Sequence, residues 1–189
     1  MKKAIYIFIF FISQYFFGQQ SNQLWKGYFS YNEIVDVESS TNAVFASTQN
    51  ALFSQVVASS NLNVYNSITG LKPDVITTIH HSDAFNKTFV GNNNGLILIQ
   101  NADGSVTTKV DVIEEVPVPP NKKKINDFFE FNGRLYIATD YGISVIDIAT
   151  SEFISTYFIG TSGEETEVLQ TTVFNNEIYA VTRSFGIRK

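Results

Sequence analysis

The sequence contains no cysteine, two histidines, one methionine, one tryptophan and four prolines. Zero cysteines excludes disulfides, thiolate metal ligands and a cysteine nucleophile outright. The two histidines are adjacent, His80 and His81, so no histidine cluster drawn from distant parts of the chain exists. Basic residues are few, 13 against 18 acidic, for a formal net charge of −5. Nothing concentrates positive charge against phosphates, which argues against a nucleic acid partner. No Gly-x-Ser-x-Gly and no phosphate-cradling glycine loop occurs. The one long apolar run is residues 4–17, broken only by Ser13 and Gln14. A bilayer-spanning helix needs about 20 apolar residues, whereas a signal-peptide core needs roughly 7–15. With Met1-Lys2-Lys3 before it and Gly18-Gln19-Gln20 after it, residues 1–19 read as a cleaved secretory signal, and no transmembrane span is expected in the mature chain 20–189. No cysteine follows the cleavage region, so the diacylated lipoprotein route is closed. Removal of Lys2 and Lys3 leaves 11 basic residues against 18 acidic ones, a formal charge of −7.

What the chain does have is aromatic bulk, seventeen Phe and nine Tyr, and short β-type runs. Residues 124–160 hold four of them, 125–131, 134–139, 142–148 and 153–159. Asn132-Gly133 separates the first pair, Asp140-Tyr141 the second and residues 149–152 the third. Asn-Gly is the strongest short hairpin signal because both residues accept positive φ. This is a four-stranded antiparallel meander, and it recurs. An aromatic and small-residue strand, a short turn, then a small residue and an aliphatic are found at 44–52, 89–96, 136–143 and 179–187. Ala51, Gly95, Gly142 and Gly186 are spaced by 44, 47 and 44 residues. A period of about 40–50 residues built of four short strands is the signature of propeller blades.

The fold expected is therefore all-β: an incomplete propeller of about three and a half four-stranded antiparallel blades. They fall at about 32–71, 75–116, 124–160 and 168–189. Pro73 has no amide to donate and belongs to the link between the first two blades. Ala102-Asp103-Gly104-Ser105 supplies a hairpin turn in the second. Val116 to Lys124 reads as an extended, donor-poor linker whose lysine triplet, Lys122 to Lys124, is solvated; its functional reading is a small cationic patch for an anionic partner. The fourth blade stops at Lys189 as its third strand begins, the ending expected of a piece of a longer protein whose open edge favours association.

Candidates for chemistry are few. Neighbouring residues of a strand point to opposite faces, so His80 and His81 do not converge on one metal ion without a bulge, and no acidic cluster stands beside them in the sequence. Asp36 and Asp127 lie fifteen residues before Ala51 and Gly142, with Thr78 and Thr171 in the corresponding slot of the other blades. Matched positions could converge on a central channel; hydrogen bonding at turns and caps is the plainer reading. Asn92-Asn93-Asn94-Gly95 and Asp140-Tyr141-Gly142 superficially resemble calcium loops, but they fill the same turn of the repeat, where positive φ is required. Trp25 and Tyr28 are either part of a blade-edge or closing strand, the plainer assignment, or an aromatic platform for a sugar ring. No catalytic, cofactor or metal residue is assigned, and the chain is expected not to be an enzyme.

The signal peptide, Trp25-Lys26-Gly27-Tyr28-Phe29-Ser30-Tyr31, Ala51-Leu52-Phe53 and Leu62-Asn63-Val64-Tyr65 leading to Gly70-Leu71 resemble the amino-terminal propeller of the PorZ family. So do Tyr141-Gly142-Ile143-Ser144-Val145-Ile146-Asp147 and Ser155-Thr156-Tyr157-Phe158-Ile159-Gly160. The resemblance implies a seven-bladed first propeller, followed by a second propeller and a β-sandwich sorting domain that are absent here. It implies a role in the type IX secretion system of Bacteroidetes, in the periplasm and at the outer-membrane cell surface. There the protein would bind anionic lipopolysaccharide and assist the PorU sortase within the attachment complex. The alternative is the periplasmic sensor propeller of a hybrid two-component regulator. Those repeats carry a Trp-Ile-Gly-Thr second strand, where this chain has Tyr136-Ile137-Ala138-Thr139. A secreted glycan-active enzyme would need clustered carboxylates at a channel mouth, and none are legible.

Overall fold

A computed structural model describes residues 31–59 and 61–189; the signal segment, Trp25 and Tyr28 lie outside them. The described chain forms four antiparallel sheets, each made of consecutive strands. The first holds β1 (Asp36–Ser39), β2 (Ala43–Ser47), β3 (Leu52–Val56) and β4 (Leu62–Tyr65). The second holds β5 (Ile76–Ser82), β6 (Lys87–Asn92), β7 (Ile97–Gln100) and β8 (Val106–Lys109). The third holds β9 (Ile125–Phe131), β10 (Arg134–Thr139), β11 (Ile143–Asp147) and β12 (Phe153–Tyr157), and the fourth β13 (Val168–Phe174), β14 (Glu177–Thr182) and β15 (Gly186–Arg188). This is an incomplete propeller whose sheets do not close into a ring, with the blade order read from the repeat.

Turn chemistry fixes the hairpins. Asn132 and Gly133 sit at φ 50° and 72°, and Asn175 and Asn176 at 50° and 63°, the doubly left-handed pair that matches strand twist in a two-residue loop. Gly104 (φ 83°) closes the β7–β8 turn, where the Asp103 carboxylate accepts from the Ser105 amide.

Blades stack through their faces, and strand alternation sends successive side chains to different neighbours. In β6, Phe89 joins the core between the second and third blades while Val90 joins the core between the first and second. In β10, Leu135 and Ile137 face the second blade; Tyr136 and Ala138 face the fourth. Central strands buried on both faces explain runs such as Leu96 to Ile99, every member of which is buried.

The first strand of each blade lies beside the first strand of the next, β1 against β5, β5 against β9, β9 against β13. Three of these strands carry a register shift at their entry, between Ile76 and Thr78, Ile125 and Asp127, and Val168 and Gln170. The skipped residue is released from the ladder and turned toward the adjoining blade. Thr77 Oγ1 donates to the Ile125 carbonyl at 2.6 Å, and Asn126 Nδ2 donates to the Val168 carbonyl at 2.9 Å. The two acceptors occupy the same place in successive blades.

The linker between the second and third blades differs from expectation. It contains a helical turn, α1 (Asp111–Glu114), and a short 3-10 turn at Pro120–Lys122, and it buries Val112 and Val118. Lys123 is not solvated: it is 5% exposed, and its ammonium donates to the carbonyls of Ile113 and Glu115. Lys122 pairs with Glu165 at 2.9 Å. A buried ammonium persists only when its protons are matched by acceptors, which the folded linker supplies from its own backbone. The triplet is therefore split between interior and surface and forms no cationic patch.

Gly91 allows the second and third blades to approach. A Cβ there would stand 2.7 Å from Ile125 Cγ2 and 3.0 Å from Phe128 Cζ. Gly91→Ala is expected to cost about 1–3 kcal/mol through overpacking, lowering the melting temperature by several degrees. Gly104→Ala, where a Cβ meets nothing within 4 Å but φ is +83°, should cost only about 1 kcal/mol through backbone strain. Equal melting temperatures for the two variants would show that Gly91 is not needed for blade packing.

Candidate functional site

The candidate site is the surface carried by the four first strands, where polar side chains from different blades meet. β1 presents Asp36 and Glu38, β5 Thr78 and His80, β9 Asp127 and Glu130, and β13 Gln170 and Thr171. Asp36 pairs with Ser47, Thr78 with Gly91, Asp127 with Ala138 and Gln170 with Val181. The slot expected to hold Thr171 in the fourth blade thus holds Gln170, because the β14–β15 turn is one residue longer than the β10–β11 turn: Val181 pairs with Ile187, six residues on, where Ala138 pairs with Ile143, five residues on. Counting back from the turn glycine therefore overshoots by one.

The two aspartates do the same work. Asp36 Oδ1 accepts from the Val37 amide at 2.8 Å, and Oδ2 accepts from Thr78 Oγ1 and the Ile79 amide, both at 2.9 Å. Asp127 is faced by the amide of Phe128, its own successor, and by that of Thr171 on the following blade. The Asp36 carboxylate ties its strand to the next. For Asp127 burial dominates and pushes the carboxyl up to about 6; the Phe128 and Thr171 amides pull the other way, and the Asp36 and Glu38 charges add to the rise.

His80 and His81 diverge as strand alternation requires. His81 stacks on Phe45 with ring centroids 4.3 Å apart, and its Nδ1 lies 2.9 Å from Thr88 Oγ1. Burial lowers its pKa, partly offset by Asp83. His80 lies between blades: Nδ1 is 3.0 Å from Glu38 Oε1 and Nε2 is 3.1 Å from Glu130 Oε2. Acidic neighbours absent from the local sequence are therefore supplied by the adjoining blades. The two glutamates contact opposite ring nitrogens, so they cannot share one metal ion with the imidazole. Among the described residues no three ionisable side chains are arranged to hold a metal.

The turns read as calcium-like are self-contained. Asn94 Oδ1 accepts from the Leu96 amide, Asn92 Nδ2 donates to the Leu96 carbonyl, and Asp140 Oδ1 accepts from Asn126 Nδ2. Tyr141 is fully buried, with its hydroxyl 2.7 Å from Ser144 Oγ. Beside Asp127, an open groove of about 550 Å³ runs along the fourth blade, walled by Phe129, Phe174, Tyr179, Val181 and Ile187. Gln170 and Thr171 also line it, and the Thr171 hydroxyl is buried without a partner. The surface offers hydrogen-bonding and apolar contacts.

The Asp127 environment has a measurable consequence. Its folded pKa lies above the ordinary carboxyl value, so its stabilising contribution is complete below 3.8 and is lost as pH rises through about 6. Asp127→Asn keeps an acceptor oxygen and removes the charge. The variant is expected to lose this part of the decline in melting temperature between those two pH values. A decline as steep as in the parent protein would mean that Asp127 does not titrate in that range.

Comparison with known proteins follows this geometry. PorZ, an essential bacterial surface component of the type IX secretion system of Porphyromonas gingivalis, superposes with a TM-score of 0.71 at 19% identity over 84% of this chain and 20% of its own. The extracellular domain of a hybrid two-component system from B. thetaiotaomicron gives 0.62 at 18% identity, over 82% of this chain and 20% of its own. A streptogramin B lyase gives 0.60 at 14% identity, over 82% and 53%. At these identities the likeness shows the propeller fold alone, and the chain spans about a fifth of the length of the first two. No curated protein matches the sequence. Residues 44–189 match the family described as the type IX secretion system PorZ N-terminal β-propeller domain, and the chain belongs to that family.

Proposed function

We propose that this chain is a non-enzymatic part of the type IX secretion and cell-surface attachment complex, exported through its signal at residues 1–19. In this reading it binds anionic lipopolysaccharide and assists the PorU sortase. The observation that carries the reading is the family match over residues 44–189. The first-strand surface supports a binding role, since it groups acceptors and donors from several blades without a catalytic constellation. Among the described residues no helix is long and apolar enough to cross a membrane.

The mode of glycolipid binding follows from where the cations are. Lys123 and Lys87 are spent on backbone carbonyls, and Lys122, Arg183, Lys109 and Lys189 on Glu165, Glu167, Asp111 and Glu177, while Lys72, Lys124 and Arg134, on three different segments, stand outside these pairings. Contacts are therefore expected to fall on sugar hydroxyls and apolar ring faces more than on phosphate. A second reading, the sensor propeller of a hybrid two-component regulator, is favoured by the similarity to such an extracellular domain. The absence of tryptophan from every blade weighs against it.

In cells from which the gene is deleted, secreted cargo should retain its sorting domain and leave the cell surface unattached. Normal attachment together with a lost transcriptional response would overturn the secretion reading in favour of the sensor. Purified chain should retain anionic lipopolysaccharide when salt is raised to about 1 M, where the screening length is about 3 Å. Complete release by that salt would place the contacts on phosphate instead.

A further inference from the structure

The His80 side chain joins three blades. It leaves β5 in the second blade, and its imidazole stands between Glu38 of the first and Glu130 of the third. The ring is 14% exposed and the two carboxylates 26% and 23%. Both ring nitrogens thus face carboxylate oxygens at hydrogen-bond distance. A neutral imidazole has one N–H and one lone pair, and only the imidazolium donates from both nitrogens. With both glutamates ionised, a neutral ring would set its lone pair against a carboxylate lone pair.

We propose that His80 is a proton-held staple: as imidazolium it ties the first three blades together at their first strands, and loss of its proton releases one of the two ties. Among the described residues neither Glu38 nor Glu130 has another cationic partner, so no lysine or arginine takes over when the proton leaves. Other titratable groups on this surface are Asp36 on β1, His81 on β5 and Asp127 on β9, with Asp83 in the β5–β6 turn beside His81. None of them supplies a second cation to the two glutamates.

Burial alone would disfavour the charged ring, but hydrogen bonding and charge from Glu38, then Glu130, outweigh it and raise the His80 pKa above 6.5. A histidine raised on folding contributes stability that is complete below its unfolded value and lost as pH rises through its folded value. The window lies on the alkaline side of 6.5. Asp127 acts at lower pH. His81 is lowered, so its contribution is complete above 6.5 and is lost as pH falls. The two histidines therefore leave opposite marks on a stability profile.

The two imidazoles are the only ones in the 189-residue sequence, so both can be followed by NMR in a protein of this chain, with His81→Gln assigning the signals. His80 should titrate above the ordinary value of about 6.5 and His81 below it. Melting temperature should fall from pH 6.5 to 8.5 in the parent protein, and His80→Gln should flatten that fall while His81→Gln leaves it in place. Glu38→Gln and Glu130→Gln keep the histidine and should each lower its titration midpoint, which provides the test if His80→Gln does not fold. A His80 midpoint at or below that of His81, or one that neither glutamine variant moves, would overturn the proposal.

Discussion

The second and third blades are each attached to the next at the entry of the first strand, and the attachment is a backbone carbonyl held by a side chain that a β-bulge has set free. Thr77 holds Ile125, and Asn126 holds Val168. Asp127 follows Asn126 by one residue and Asp36 holds the matching position on β1; Asp36 accepts the Ile79 amide of the neighbouring first strand and Asp127 faces that of Thr171. Without the bulge these side chains would alternate strictly into one face or the other, and the backbone groups at the strand entry would lack partners. An unpaired buried backbone group costs about as much as a lost hydrogen bond or more. The angular relation of the blades depends on these contacts as much as on apolar packing, because apolar packing is non-directional.

The apolar part follows the same logic. Strands in the middle of the second and third blades are buried on both faces and supply two cores at once, so the neighbouring residues Phe89 and Val90 stabilise different interfaces. This explains how a chain with no disulfide orders four thin sheets. It also explains why Gly91 has no side chain: Ile125 and Phe128 from the adjoining blade fill the space a Cβ would need. The same close approach brings Glu38, His80 and Glu130 together, making a charged cluster at the first strands a by-product of blade spacing.

Much of this architecture is legible in the sequence because turns and strands are local. Asn132-Gly133 marks a hairpin through its tolerance of positive φ, and the recurrence of a small residue after each second-strand turn marks the period. The linker at 116–124 was misleading for an equally physical reason. Three prolines and three lysines describe a solvated loop when no partners are in view, yet the carbonyls of Ile113 and Glu115 turn back to receive Lys123. The slot assigned to Thr171 belongs to Gln170 because the β14–β15 turn is one residue longer than the β10–β11 turn, and spacing counted back from the turn glycine carries that extra residue with it. The glutamates beside His80 were invisible because they lie 42 and 50 residues away along the chain.

The sequence by itself determined the all-β class, the blade period and the exclusion of thiol chemistry, since each rests on residue type and short-range spacing. It also carried the resemblance to the PorZ family. Tertiary structure alone decided which side chains meet across blades, that Lys123 is buried and that His80 has two carboxylates and not one. Those outcomes depend on the angle and distance between successive sheets. That geometry is set jointly by bulges, interleaved cores and the approach at Gly91, and no single stretch of sequence contains it.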